Sequence, residues 1–104
     1  MITLIVVFEV PAESVEHFMA DWKTDKDFMM RQPGFSDGAL YHSSHSDARF
    51  RYVNVAHWKS ENDWKAAIGA GEKHRAGKGI DRRSDWTHLG IMVFPASYQE
   101  EVRY

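Results

Sequence analysis

Arg49-Phe50-Arg51-Tyr52-Val53-Asn54-Val55-Ala56-His57-Trp58 is the stretch on which the fold turns. β-Branched and aromatic residues dominate it, and it reads as a strand over 49–58. A period of two sorts Phe50, Tyr52, Asn54, Ala56 and Trp58 onto one face and Arg51, Val53, Val55 and His57 onto the other. An amide set among aromatics is unusual, so this face is the first place to look for chemistry.

Upstream, Ser43-Ser44-His45-Ser46-Asp47 is a polar, hairpin-like turn, and residues 36–44 before it form a weakly patterned strand. Gln32-Pro33-Gly34-Phe35 closes a helical region, because the residue before proline avoids the helical basin and glycine supplies the turn. Val15, Phe18, Met19 and Trp22 recur at helical spacing opposite Glu13, Glu16, His17 and Asp21, which predicts an amphipathic helix over 12–23. Met29 and Met30 extend its stripe through a further turn or a break near Thr24-Asp25. The chain opens on a strand over 2–10, closed by Pro11.

Downstream, Ser60 is a helix N-cap with Asp63 three residues on, and Trp64, Ala67 and Ile68 form the apolar face that follows. Gly69 and Gly71 interrupt this helix, Glu72 to Ala76 add a turn, and residues 77–84 read as a mobile loop. A last strand over 86–95 ends at Pro95, and the polar segment from Gln99 extends over a neighbour or frays. The order is β-α-β-β-α-β, an α+β fold of the ferredoxin-like kind with both helices on one face of the sheet. The strands are apolar on both faces: Leu4, Val6 and Phe8 alternate with Ile5 and Val7, as Ala56 and Trp58 do with Val53 and Val55. A sheet with one wet face would alternate polar and apolar residues, so a second copy is expected on the helix-free face, as a two-fold homodimer.

With 104 residues the chain is expected to be one domain over 1–104. A formal charge of -2 lacks the basic footprint that neutralises nucleic-acid phosphates. No cysteine is present, which removes disulfides, thiolate metal sites, iron–sulfur clusters and a cysteine nucleophile. The apolar run Ile2–Phe8 falls far short of the ~20 residues of a spanning helix, and it lacks the flanks of a signal peptide. A cytoplasmic protein without a membrane partner is therefore expected.

If Val53 and Val55 face the dimer core, Asn54 and Trp58 point under the helices, where Trp64 and Trp22 of the first helix wall a pocket. An amide in such a pocket donates to a developing oxyanion; equally, it satisfies a neighbouring backbone group. Four histidines, His42, His57, His74 and His88, sit at no metal-motif spacing, so no metal site is expected. His74 and Arg75 follow the second helix at the expected pocket mouth, where His74 acts as a base near neutral pH or is simply solvated. Lys73, Arg75, Lys78, Arg82 and Arg83 make a basic segment, either a solvated face or a holder of an anion such as a phenolate or propionate. Nucleotide-binding glycine motifs and a serine nucleophile elbow are absent.

Arg31-Gln32-Pro33-Gly34-Phe35, Tyr52-Val53-Asn54-Val55-Ala56-His57-Trp58 and Lys59-Ser60-Glu61-Asn62-Asp63-Trp64 together resemble the antibiotic biosynthesis monooxygenase family over residues 2–95. The Asn54-x-x-x-Trp58 pair is most similar to its branch that oxidises anthrone-type and naphthacenone polyketides. That resemblance implies a dimeric α+β barrel with one pocket per subunit and a monooxygenase needing no metal or flavin, with O₂ as co-substrate. It assigns Asn54 to polarising the substrate carbonyl and Trp58 to shaping the pocket. Trp64 falls at its aromatic wall, with Trp22, His74 and Arg75 as further substrate-binding residues around a small aromatic molecule. A haem-degrading branch of the same superfamily relies on an Asn in the first strand, a Trp on the second helix and an iron-ligating His. Here Val6-Val7-Phe8 and Ala67 replace the first two, and only His74 survives. A third reading is a barrel of this kind that binds a ligand without turning it over.

Overall fold

Alternation along the first strand explains the layers. In β1 (Ile2–Glu9), Ile2, Leu4, Val6 and Phe8 are buried while the residues between them are only half-buried. Each of the four contributes roughly 1.5–3 kcal/mol by leaving water. The computed structural model, which describes residues 1–104, places β1 at the centre of an antiparallel sheet ordered β2-β3-β1-β4. Its other members are β2 (Phe35–His42), β3 (Tyr52–Trp58) and β4 (Met92–Tyr98). Three helices, α1 (Val15–Met29), α2 (Glu61–Ala76) and α3 (Arg82–His88), complete the element order. The result is the expected ferredoxin-like α+β arrangement. No helix is long and apolar enough to cross a membrane.

Phe18 of α1 is fully buried and organises the core: it meets Phe8 edge-on at 5.0 Å, stacks on Tyr52 at 4.9 Å and tilts against Trp86 at 5.2 Å. Ser14, also buried, donates its hydroxyl to the Leu89 carbonyl at 2.7 Å and ties the start of α1 to the end of α3. The molecule is a slab, 38 × 36 × 17 Å, with one sheet face uncovered by helices. Pairing in register places Thr3, Ile5, Val7, Val53 and Val55 on that face beside Ala39, Tyr41, Phe94 and Ala96.

Seven sequence expectations change. The predicted helix over 12–23 is a short 3-10 turn, Ala12–Ser14, followed by α1, which runs without a break through Thr24-Asp25 to Met29. The strand predicted over 49–58 begins only at Tyr52, because Ser43 N–H closes the hairpin onto the Arg51 carbonyl at 2.8 Å. Strand parity does not hold outside the ladder, and Phe50 packs on Phe94, 5.9 Å away, on the helix-free side rather than beside Tyr52. Helix α2 is continuous across both glycines. Gly71 is buried at the approach of α1, where a Cβ would lie 3.7 Å from the Phe28 ring.

The supposed mobile loop over 77–84 contains the start of α3. Asp81 caps it, its carboxylate accepting from Ser84 N–H at 3.1 Å. Trp86, expected in the last strand, is the buried anchor of α3, and β4 begins six residues later. Pro95 does not end β4 but sits in its middle, opposite Val6. β4 is an edge strand, and a proline whose missing N–H faces outward costs the ladder nothing.

Candidate functional site

The helix face of β3 keeps the order read from its period. Tyr52 lies under Phe18, Ala56 and Trp58 are buried, and Trp58, at 1% exposure, is met edge-on by Phe35 at 5.4 Å. Asn54 is half-buried between them. Its strand neighbours are Val6 on β1 and Leu40 on β2, so an amide stands in an otherwise apolar row.

Above Asn54 and Trp58 lies a cleft of about 560 Å³ between α1 and the β2–β3 half of the sheet. Its floor is Leu4, Leu40, Asn54, Ala56 and Trp58, with Phe35 at one end. Its roof is one stripe of α1, Trp22, Asp25, Lys26, Met29 and Met30, spaced as neighbours on a single helical face. Gly38 keeps the β2 side shallow, since a Cβ there would come within 3.1 Å of the Ala56 side chain. Asn54 lines this cleft, and none of the side-chain hydrogen bonds within the chain involves its amide.

Asp25 connects this cleft to the rest of the molecule. Arg82 Nε and Nη2 donate to its two oxygens at 2.9 Å each, and Arg75 approaches at 3.6 Å. Arg82 also reaches Asp21 at 3.2 Å, and Asp21 accepts from the Trp86 indole at 2.9 Å. The hydrogen bond to Asp25 holds the Arg82 guanidinium above its ordinary pKa against the opposing cost of burial, with the charges of Asp25 and Asp21 adding to it. Behind this network, between α2, α3 and β4, lies a second cleft of about 1050 Å³ that contains neither Asn54 nor Trp58.

Of the six residues singled out from sequence, the structure brings Asn54, Trp58 and Trp22 together around the first cleft. Trp64 is not on its wall: it packs against the core, and its indole N–H is buried with no partner. His74 lines neither cleft; its ring stacks on Phe28, 4.8 Å between centroids. Arg75 lies on the second cleft and reaches the first only through Asp25. The expected pocket mouth at His74 and Arg75 is thus corrected, because continuous α2 carries both against α1, at Phe28 and Asp25. Asp25, Lys26, Met29 and Met30 were missed, and the signal that finds them is the Trp22 stripe continued past Thr24 at steps of three and four. No group of three or more metal-ligating side chains converges anywhere.

An antiparallel sheet ordered β2-β3-β1-β4 under helices, with a half-open aromatic cleft lined by one amide, defines an α+β protein of the ferredoxin-like class. Residues 1–77 match the family model for antibiotic biosynthesis monooxygenase, and the chain belongs to that family. Among solved structures it is similar to a protein from Shewanella loihica PV-4 taken to be a monooxygenase, at 32% identity and a TM-score of 0.77, covering 98% of this chain and 95% of that one. SnoaB, a cofactor-independent oxygenase from Streptomyces nogalater, is similar at 20% identity and a TM-score of 0.72, over 98% and 94% of the two chains. The haem-degrader MhuD from Mycobacterium tuberculosis, which has two haems in its active site, is similar at 21% identity and a TM-score of 0.64, over 99% and 100%. The last two likenesses speak to the fold alone. No curated protein matches the sequence.

Proposed function

We propose that this chain is a cofactor-independent monooxygenase that converts an anthrone- or quinol-type aromatic to a quinone with O₂. The observation that carries the reading is the unpartnered Asn54 amide in a cleft walled by Trp22, Phe35 and Trp58. Membership of the antibiotic biosynthesis monooxygenase family supports oxygenase chemistry, and SnoaB, a cofactor-independent oxygenase, shares the fold.

The substrate's aromatic body lies between the α1 stripe and the β3 floor, with its carbonyl oxygen toward Asn54. Loss of a proton from the carbon opposite that carbonyl leaves a delocalised anion, whose charge on oxygen the Asn54 N–H stabilises against largely apolar walls. The carbanion gives electrons to O₂, a C–O bond forms, and the resulting peroxide takes up a proton. Cleavage of its O–O bond with loss of the remaining C–H proton yields the new carbonyl and one water. One O₂ and one CH₂ group become one C=O and one H₂O. Trp58, locked by Phe35, fixes the plane in which the ring system binds.

The active form is a two-fold homodimer joined through the helix-free face, where Val7, Val53, Val55, Tyr41 and Phe94 lie without cover from this chain. Haem fits the Asn54 cleft poorly: no histidine lines it, and His74, the position matched to the haem-degrading branch, is stacked on Phe28 outside it.

The test is oxygen uptake by chelator-treated protein with dithranol under air. Consumption of one O₂ per anthrone, with quinone formed and no peroxide released, is the expected result. Binding of dithranol without uptake above background overturns the oxygenase reading in favour of a ligand-binding protein.

A further inference from the structure

The charged side chains that line the Asn54 cleft are Asp25 and Lys26 on its roof and Asp37 on the edge strand β2. An aromatic anion formed in the cleft is repelled by any carboxylate there that is left uncompensated. Water screens the two carboxylates to different extents. Asp37 is 72% exposed, and its Oδ1 lies 2.5 Å from His57 Nδ1. Asp25 is only 21% exposed, so its charge carries into the cleft with far less screening. Lys26 does not offset it, because its ammonium lies 2.8 Å from Asp27, an exposed neighbour on the same helix.

Compensation for Asp25 comes from outside the cleft. Arg82 of α3, itself 14% exposed, donates to both Asp25 oxygens at 2.9 Å, and Arg75 of α2 brings Nη1 to 3.6 Å. Neither arginine lines the cleft, so neither is placed to touch a ligand in it. Arg82 also lies 3.2 Å from Asp21, which accepts from the Trp86 indole and has His17 Nε2 3.3 Å away. Asp85 of α3 adds its negative charge near Arg82. Asp21 and Asp25 are thus set against Arg82 and Arg75, and without Arg82 the only cation left on Asp25 is Arg75. An uncharged amide at position 25 would roof the cleft with the same bulk. What Arg82 supplies is therefore both a tie between two helices and neutrality at the roof.

We infer, resting on the oxygenation proposed for the same cleft, that Arg82 is a positioning residue: by neutralising Asp25 it sets the pH at which a bound phenol or anthrone releases its proton to solvent. It acts through Asp25 and never touches the substrate. With Arg82 in place, the bound anion meets a roof without net charge and the Asn54 N–H on the floor. Without it, the Asp25 carboxylate holds the substrate in its protonated, unreactive form to higher pH.

The probe is alizarin, a dihydroxyanthraquinone whose colour reports its own ionisation and which is already oxidised at the carbon that the reaction attacks. Its bound pKa is read by absorbance titration in the full-length protein, below the melting temperature of each variant. Arg82→Met is expected to raise that pKa by about one unit. Arg82→Met combined with Asp25→Asn is expected to return it to the value in the unsubstituted protein, and Asp25→Asn alone to lower it. His17 and His57 are the same in all four proteins, so their titration cancels from the comparison. The double variant lacks the tie between α1 and α3 as completely as Arg82→Met does, so a purely structural role predicts that the two behave alike. The pH of half-maximal oxygen uptake with dithranol is expected to follow the same order. Equal bound pKa values in all four proteins, or a double variant shifted as far as Arg82→Met, overturn the role of Arg82, and the oxygenase reading stands if uptake persists. Shifts in the expected order without any oxygen uptake uphold the charge balance and overturn the oxygenase reading.

Discussion

Arg82 holds both carboxylate oxygens of Asp25 at 2.9 Å, joining helix α3 to the helix that roofs the Asn54 cleft. The pair is 57 residues apart in sequence, and it fixes a seven-residue helix that local propensity alone leaves marginal.

Replacing Arg82 with Ala leaves Asp25 and Asp21 partly buried with reduced partners. The expected cost is about 1.5–3 kcal/mol, read as a lower urea midpoint with an unchanged slope. Arg82→Lys recovers only part of it, since an ammonium lacks the two-pronged geometry. The sign with pH follows from the raised pKa of Arg82. Its contribution is complete below the ordinary arginine value and fades only as pH rises through the still higher folded value. The cost of Arg82→Ala is therefore the same at pH 7 and pH 9; a cost that vanishes over that interval contradicts the assignment.

Gly34 has φ +90°, and a Cβ there would lie 2.5 Å from Asp63 at the start of α2. Gly34→Ala therefore combines a left-handed backbone with a clash against a helix start, and is expected to cost about 1–3 kcal/mol. Thermal unfolding should shift by ~4–8 °C per kcal/mol. An unchanged melting temperature contradicts the close turn-to-helix contact.

Trp64 carries a buried indole N–H with no partner. Trp64→Phe removes that group along with some apolar area, so its net effect is expected to stay within about 1 kcal/mol of neutral in urea unfolding. A loss of more than ~2 kcal/mol would mean that the N–H is satisfied in solution.

The cleft-facing side of β3 was legible because the strand stays in register with both neighbours from Tyr52 to Trp58, so a period of two sorts Asn54 and Trp58 together. Phe50 was misplaced by the same rule one step outside the ladder, where the hairpin sets direction. Helix α3 was illegible for a different reason. It is held by Arg82 to Asp21 and Asp25 and by Trp86 to Asp21, contacts 57 to 65 residues apart that leave no local periodicity. The meaning of Pro95 depends on β4 being an edge strand, a property of topology and not of the residues beside it. The stripe was followed to Met29 and Met30, but leaving open a break near Thr24-Asp25 hid the roof positions Asp25 and Lys26 between them.

The most direct test of the central claim is the turnover number for dithranol-dependent oxygen uptake by Asn54→Ala beside the unsubstituted protein. Dithranol affinity is followed in parallel by quenching of tryptophan fluorescence. Loss of the Asn54 amide donor is expected to lower turnover about 10²–10³-fold while affinity changes little. Turnover equal to that of the unsubstituted protein, with dithranol still bound, contradicts the account.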